Sequence, residues 1–303
     1  MKVAVTGSSG LIGSALLPAL RADGHEVVRI VRRPPRGPGE IRWDPLAGQL
    51  DPGELQGVEA VINLAGAGLG DHRWTASYKQ VLCASRIEGT RLLAETLAGL
   101  AVPPRVLLSG SAIGWYGSPA GATGPALDES AGAGVGFLAD LVRGWEGATA
   151  AAEAGGIRVV RLRTGVVLSG RGGMLGRLLP LFRLGAGGQL GPGRQWLSWI
   201  SLRDTVTATL FLLDTDGVRG PVNLVAPRPV TNAEFTATLA RALHRPAFVR
   251  VPRAALRLAL GEFADEGVVA SQRLAPAALL DAGFRFAHPD LAAALEDALH
   301  HGG

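Results

Sequence analysis

Along the first 165 positions, apolar residues come in two alternating rhythms. Short β-branched runs at 3–6, 27–31, 60–65, 106–111 and 159–162 are nearly continuous in apolar character. Between them, at 11–22, 74–98 and 137–153, apolar positions recur at helical spacing. Strands covered by helices on both faces read this way, so the pattern predicts an α/β fold, a Rossmann-type doubly wound parallel sheet. Pro18 lies inside the first helix and predicts a kink, because proline removes one backbone donor. Beyond Gly165 the rhythm loosens. Gly- and Pro-rich stretches at 170–173 and 185–193 flank an apolar segment at 174–184. Thr231-Asn232-Ala233-Glu234 has capping-box spacing and opens a helix to about His244. Pro289 is placed as the first residue of a last helix over 289–299. Two units follow. Residues 1–226 form a dinucleotide-binding domain, with 170–200 contributing to the substrate side, and 227–303 form a smaller mixed α/β domain.

The first strand runs straight into Thr6-Gly7-Ser8-Ser9-Gly10-Leu11-Ile12-Gly13. Gly7 permits a tight turn, Gly10 lets backbone approach a pyrophosphate, and Gly13 lets helix pack on strand. The helix N-terminus, with the amides of Leu11 and Ile12, offers donors and a positive dipole end to phosphate. An ordinary glycine-rich turn is the plainer alternative, but the strand-turn-helix context is the one a dinucleotide requires. At the end of the second strand, NAD sites place an acid against the ribose 2′-hydroxyl. Here Val31-Arg32-Arg33 stands instead, and a guanidinium there would pair with a 2′-phosphate. Arg32 and Arg33 therefore point to NADP(H), against the alternative of a solvated basic loop.

Composition narrows the reading further. With 47% hydrophobic and 18% charged residues in 303, the chain can bury a large core and is not disordered. Its net charge is +4, and the scattered arginines make no basic stripe suited to nucleic acid. No apolar run approaches membrane-spanning length, and Cys83 is the single cysteine, which suits a reducing cytoplasm. His25, His72, His244 and His288 show no metal-ligand spacing, and the terminal His300-His301 pair suggests no function.

With Asn63-Leu64-Ala65-Gly66 closing a strand, the set resembles the extended short-chain dehydrogenase/reductases of NAD-dependent epimerase/dehydratase type. It is most similar to the atypical subgroup of epimerase family proteins with a small extra C-terminal domain. The resemblance spans the chain through Arg73-Trp74, Ser85-Arg86-Ile87-Glu88-Gly89-Thr90, Trp145-Glu146, Arg163-Thr164-Gly165-Val166-Val167-Leu168, Trp199-Ile200-Ser201-Leu202-Arg203-Asp204, Val222-Asn223-Leu224-Val225-Ala226-Pro227 and Ala282-Gly283-Phe284-Arg285-Phe286. It implies that Leu64, Ala65 and Gly66 lie over the adenosine-side ribose. It also implies that the loop carrying Val166 lines the nicotinamide, and that Arg86 faces cofactor phosphate or ribose.

The same resemblance implies Asn, Ser, Tyr and Lys as catalytic groups, the Lys lowering the pKa of the Tyr and holding the nicotinamide ribose. The chain departs from this. Its tyrosines are Tyr78 and Tyr116, its lysines Lys2 and Lys79, and no Tyr stands four residues before a Lys. Matching Glu146 to the family places Leu138 and Val142 at the Tyr and Lys positions and Arg86 at the Asn position. Ser111 is retained, and Tyr116 is the available replacement acid, with wall packing as its alternative. Arg163 is expected in a buried ion pair, and Asp128-Glu129 in solvent. Two functions remain: an NADP(H)-dependent oxidoreductase or epimerase on a small polar substrate, by family analogy a sugar derivative, or a non-catalytic NADP(H)-binding sensor or interaction protein. A homodimer is compatible with either.

Overall fold

The structure, a computed structural model, describes residues 1–119 and 124–300, so His301 lies outside it. The chain begins with β1 (Lys2–Thr6), α1 (Leu11–Ala22), β2 (Glu26–Val31), β3 (Glu40–Asp44), β4 (Gln49–Leu50) and β5 (Ala60–Asn63). It continues through α2 (Ala76–Ala98), β6 (Val106–Ala112), α3 (Phe137–Gly147), α4 (Ala150–Ala154), β7 (Arg158–Thr164) and β8 (Val166–Leu168). Then come α5 (Gly173–Arg183), β9 (Gly188–Leu190), β10 (Trp196–Leu197), β11 (Trp199–Ser201), α6 (Leu202–Asp214) and β12 (Gly220–Leu224). The chain ends with β13 (Val230–Thr231), α7 (Asn232–Ala242), β14 (Val249–Val251), α8 (Arg253–Leu260), α9 (Ala277–Asp281) and α10 (Leu291–His300).

Eight strands form one sheet in the order β12-β7-β6-β5-β1-β2-β3-β4. Every neighbouring pair is parallel except β3 with β4. The chain moves outward from β1 through β2 to β4, then returns and moves the other way from β5. That reversal between β1 and β5 opens a crevice at the carboxyl ends of the strands, the place where open α/β sheets bind ligands.

Period-two alternation divides the strand residues between two cores. Val3, Val5, Ile62, Leu108 and Leu162 face α1 and α6, packing with Leu16, Leu20 and Leu212. Ala4, Val61, Leu107 and Val159 face the other way, against Leu93 and Leu97 of α2 and Ala152 of α4. Both faces are dry, which is why these strands read as unbroken apolar runs. A third core joins Leu175, Leu179 and Phe182 of α5 and Trp199 to Phe235, Leu239, Leu291 and Leu295 of α7 and α10. Segment 170–200 is thereby packed with the C-terminal helices.

Several boundaries differ from expectation for identifiable reasons. The stretch 137–153 is two helices, broken after Gly147. The last helix starts at Leu291, so Pro289 precedes it and is not its first residue. α1 runs as one helix through Pro18. Helix α6 was not marked by the apolar rhythm, since Thr205, Thr207 and Thr209 interrupt it. All three turn their hydroxyls onto carbonyls one turn back, at Ser201, Arg203 and Thr205. Its start is fixed by Ser201, which accepts from the amide of Asp204 at 2.9 Å. The capping box at Thr231 and Glu234 is present and opens α7.

Candidate functional site

The turn after β1 is shaped by two glycines that the fold itself requires. Gly7 has φ +63°, and a Cβ there would lie 2.4 Å from the Leu64 carbonyl oxygen. A Cβ on Gly13 would lie 2.3 Å from the Gly7 carbonyl oxygen. Gly10 is different. Its added Cβ would meet only the Gly7 oxygen, at 3.3 Å, and otherwise open space. Gly10 is also the N-cap of α1, and no side chain caps the helix. The first-turn amides, including those of Leu11 and Ile12, thus keep donors for a phosphate. The loop at Gly172-Gly173 lies against the Leu11 side chain, with added Cβ atoms 3.6 and 3.4 Å from it.

At the end of β2 the two arginines are not equivalent. Arg33 forks onto Glu40 with contacts of 2.7 and 2.6 Å, and Arg29 reaches the same carboxylate at 3.1 Å. The Arg33 fork and the Arg36 amide hold the Glu40 carboxyl well below its usual range, at about 2. Arg32 is exposed and has no hydrogen-bond or ion-pair partner among the described residues. Arg32 is a free cation at this corner, as the Arg36 guanidinium also is among the described residues, while Arg33 is already neutralised.

Buried hydrogen bonds position the strand end beside the turn. The Thr6 hydroxyl donates to Asn63 Oδ1 at 2.6 Å and accepts from the amides of Leu64 and Ala65. Asn63 donates to Thr90 Oγ1, which also accepts from Trp145 Nε1 at 3.0 Å. Leu64 and Ala65 are in this way locked to Thr6, the residue before Gly7, and Gly66 follows them. Arg86 donates to the carbonyls of Ala67 and Leu82, and its guanidinium lies 5.2 Å from the Trp145 ring. Burial lowers the Arg86 pKa to about 10, which still leaves it charged at neutral pH.

On the far side of the crevice, the side chains expected to do chemistry are engaged with one another. The Ser111 hydroxyl donates to Glu146 Oε1 at 2.6 Å. Arg163 forks onto Glu146 at 2.8 and 2.9 Å and donates to the Tyr116 oxygen at 3.1 Å. Tyr116 in turn donates to Asn223 Oδ1 at 2.8 Å. Its side chain is buried among Ile113, Val225 and Leu274, and burial raises its pKa above the ordinary phenol value. The expected ion pair of Arg163 is therefore present, with Glu146 as the partner that composition and spacing did not reveal. Glu129 corrects the expectation of solvent: it is half-buried and accepts from the amides of Asn223 and Ala278.

Leu138 and Val142, one turn apart on α3, both pack on Gly114, where an added Cβ would lie 3.2 and 3.4 Å from them. The helix face that would carry Tyr and Lys is an apolar contact here. Next to it lies a cavity of about 290 Å³ lined by Gly114, Leu138, Arg253, Asp265, Glu266 and Gln272. The Glu266 carboxylate accepts from the first amides of α3, those of Phe137 and Leu138. Val166 stands at the carboxyl end of β7, half-buried, in β8. Far from this crevice, the fold gathers Asp23, His25 and Asp214 with ligand atoms within 4.8 Å of one another, a grouping invisible in the spacing of the histidines. Among the described residues no helix is long and apolar enough to cross a membrane.

Residues 3–225 match the NAD dependent epimerase/dehydratase family, and residues 251–298 match a domain of unknown function, DUF1731. The chain belongs to the NAD dependent epimerase/dehydratase family. It is 50% identical to Epimerase family protein Mb2239 of Mycobacterium bovis, over 97% of this chain and 96% of that protein. The crystal structure of human epimerase family protein SDR39U1, solved with NADPH, superposes with a TM-score of 0.88 at 34% identity, covering 99% of this chain and 100% of that one. A nucleoside-diphosphate sugar epimerase structure from Corynebacterium glutamicum gives a TM-score of 0.82 at 38% identity, over all of this chain and 59% of that one.

Proposed function

We propose that this epimerase-family chain binds NADP(H) across the carboxyl edge of β1 and acts in the cytoplasm as an oxidoreductase or epimerase on a compact polar substrate. The observation that carries the reading is the pairing of an uncapped helix start, open in front of Gly10, with an unpartnered Arg32 at the end of β2. The first accepts a pyrophosphate and the second a 2′-phosphate. The NADPH in the similar human structure supports the choice of cofactor. Bound there, the nicotinamide supplies a hydride donor or acceptor. The chain's own part is to hold the phosphates, shape the cavity beside Leu138 and keep water from it.

The Ser111–Tyr116 pair serves as framework, since both hydroxyls are already donating to protein acceptors. With Leu138 and Val142 filling the usual couple's face, a second reading keeps specific support: an NADP(H)-binding sensor or interaction protein without turnover. Calorimetric titration tests the cofactor assignment. NADPH should bind at least about tenfold more tightly than NADH, and Arg32→Ala should weaken NADPH by roughly one to two decades while sparing NADH. Equal affinities for the two dinucleotides would sink the 2′-phosphate argument. Gly10→Val should abolish binding of both while the fold persists, because its side chain enters phosphate space. NADPH consumption across a carbonyl and sugar panel then separates the enzyme from the sensor.

A further inference from the structure

At the edge of the sheet away from the crevice, where β1 and β2 begin, two helices end side by side. α1 and α6 pack on one another through Leu16, Leu20 and Leu212. α1 is followed by Asp23 as its C-cap, and α6 ends on Asp214. The last turn of a helix carries carbonyls without intrahelical partners and is its negative end, so two such ends and two carboxylates favour a cation here. The turn after α1 is closely held. The amides of Asp23, Gly24 and His25 donate to the carbonyls of Ala19, Arg21 and Leu20 at 3.0, 3.1 and 3.0 Å, and Gly24 takes φ +79°. A left-handed glycine is the usual end of a helix, and it delivers His25 to the start of β2 in a fixed position.

The His25 side chain is 8% exposed, and its Nδ1 lies 3.4 Å from the Met1 amino group. The other ring nitrogen, Nε2, is sealed from water and has no hydrogen-bond partner among the described residues. Asp23 Oδ2 is 3.3 Å from it, yet off the line along which a ring N–H would donate. A buried nitrogen left this way is costly unless another group meets it. The separation is that of two ligands on one ion: zinc bonds of about 2.0–2.1 Å put neighbouring corners of a tetrahedron roughly 3.3–3.4 Å apart. Asp214 completes the group, one ligand atom from each residue lying within 4.8 Å of the others. Two cationic groups stand nearby. Arg105 gives its shorter contact, 2.9 Å, to Asp216 and a longer one, 3.3 Å, to Asp214. The Met1 amine faces Nδ1, and neither group partners Nε2.

We propose that Asp23, His25 and Asp214 bind a divalent transition ion of the zinc type, through Nε2 and one oxygen of each carboxylate, with water as the fourth ligand. One imidazole with two carboxylates suits such an ion, whereas magnesium and calcium take oxygen ligands. With Nε2 on the ion, Nδ1–H donates to the Met1 nitrogen in its uncharged form, which orients the ring. The ion ties the ends of α1 and α6 to the start of β2. It is a clasp at the edge away from the phosphate turn, and its binding does not depend on the dinucleotide.

Calorimetric titration of untagged, chelator-treated protein with zinc chloride tests the site. One zinc should bind per chain with a Kd of about 10 μM or tighter, and saturating zinc should raise the melting temperature by a few degrees. His25→Gln should weaken zinc about a hundredfold or more, since losing even an outer partner of a metal ligand costs about tenfold to a hundredfold. Asp214→Asn should weaken it about tenfold or more. That carboxylate is 55% exposed, so this variant keeps the test decisive if His25→Gln fails to fold. His300→Gln, outside the cluster, should change nothing. Weaker parent binding, parent-like zinc affinity in folded Asp214→Asn, or a loss in His300→Gln equal to that in His25→Gln would each overturn the assignment.

Discussion

Two arginine–glutamate forks of nearly the same geometry stand on opposite sides of the crevice. Arg33 holds Glu40 at the end of β2, with the arginine side chain 33% exposed. Arg163 holds Glu146 between β7 and α3, where the two side chains are 3% and 8% exposed. Contact lengths barely distinguish them, but surroundings do. In the first pair the arginine meets solvent beside the exposed Arg32, so a phosphate can compete for it, while Glu40 is itself only 10% exposed. The second is enclosed with Ser111, Tyr116 and Asn223, and no competing ligand reaches it. Identical chemistry thus makes an adjustable corner on the adenosine side and a fixed wall on the substrate side.

Breaking the enclosed pair should have the largest effect. Glu146→Ala leaves the Arg163 charge buried without a counter-charge, although the Tyr116 oxygen and Trp115 ring remain beside it. The expected loss is about 3–5 kcal/mol of folding stability, measured by urea denaturation. A loss under about 1 kcal/mol would mean that water enters and the wall is not closed.

Tyr116→Phe probes the same wall more gently. Removing the hydroxyl strands Asn223 Oδ1 and one Arg163 donor, and should cost about 1–3 kcal/mol. NADPH affinity should not change, since every Tyr116 partner belongs to the wall. Parent stability combined with a loss of turnover of about 10²–10⁴ on an identified substrate would instead restore Tyr116 as the proton donor.

The same contrast explains what was legible in the sequence. The phosphate turn is specified by backbone freedom, and freedom is written as glycine: Gly7 and Gly13 could be read because no other residue fits their backbone contacts. Strand alternation was legible because both faces of the sheet are dry. The wall is specified differently. Ser111, Glu146, Arg163 and Asn223 are brought together from β6, α3, β7 and β12, and nothing local marks one as another's partner. Glu266 reaches the amides of α3 across more than a hundred residues, so its cavity had no signature at all. The inequality of Arg32 and Arg33 was likewise hidden, because it depends on Glu40 arriving beside β2 as part of β3.

The smallest effect belongs to the adjustable pair, and pH reveals it. In the folded chain the Glu40 carboxyl titrates at about 2, against roughly 4.3 for an unfolded glutamate. A depressed folded value means that the unfolded chain takes up this proton first as pH falls. The stabilisation is therefore complete above about pH 5, declines below it, and is gone once pH passes the folded value. Other carboxylates titrate in the same range, so the informative quantity is the stability difference between parent and Glu40→Gln. That difference should favour the parent at pH 7 and shrink toward zero between about pH 4 and 2. A difference that stays constant over this window would show that the fork contributes nothing charge-dependent. The substitution also loosens Arg33 for a 2′-phosphate, so NADPH affinity should rise several-fold while NADH stays as it was. Unaltered NADPH affinity would assign the 2′-phosphate to Arg32 alone and reduce Arg33 to a brace for β3.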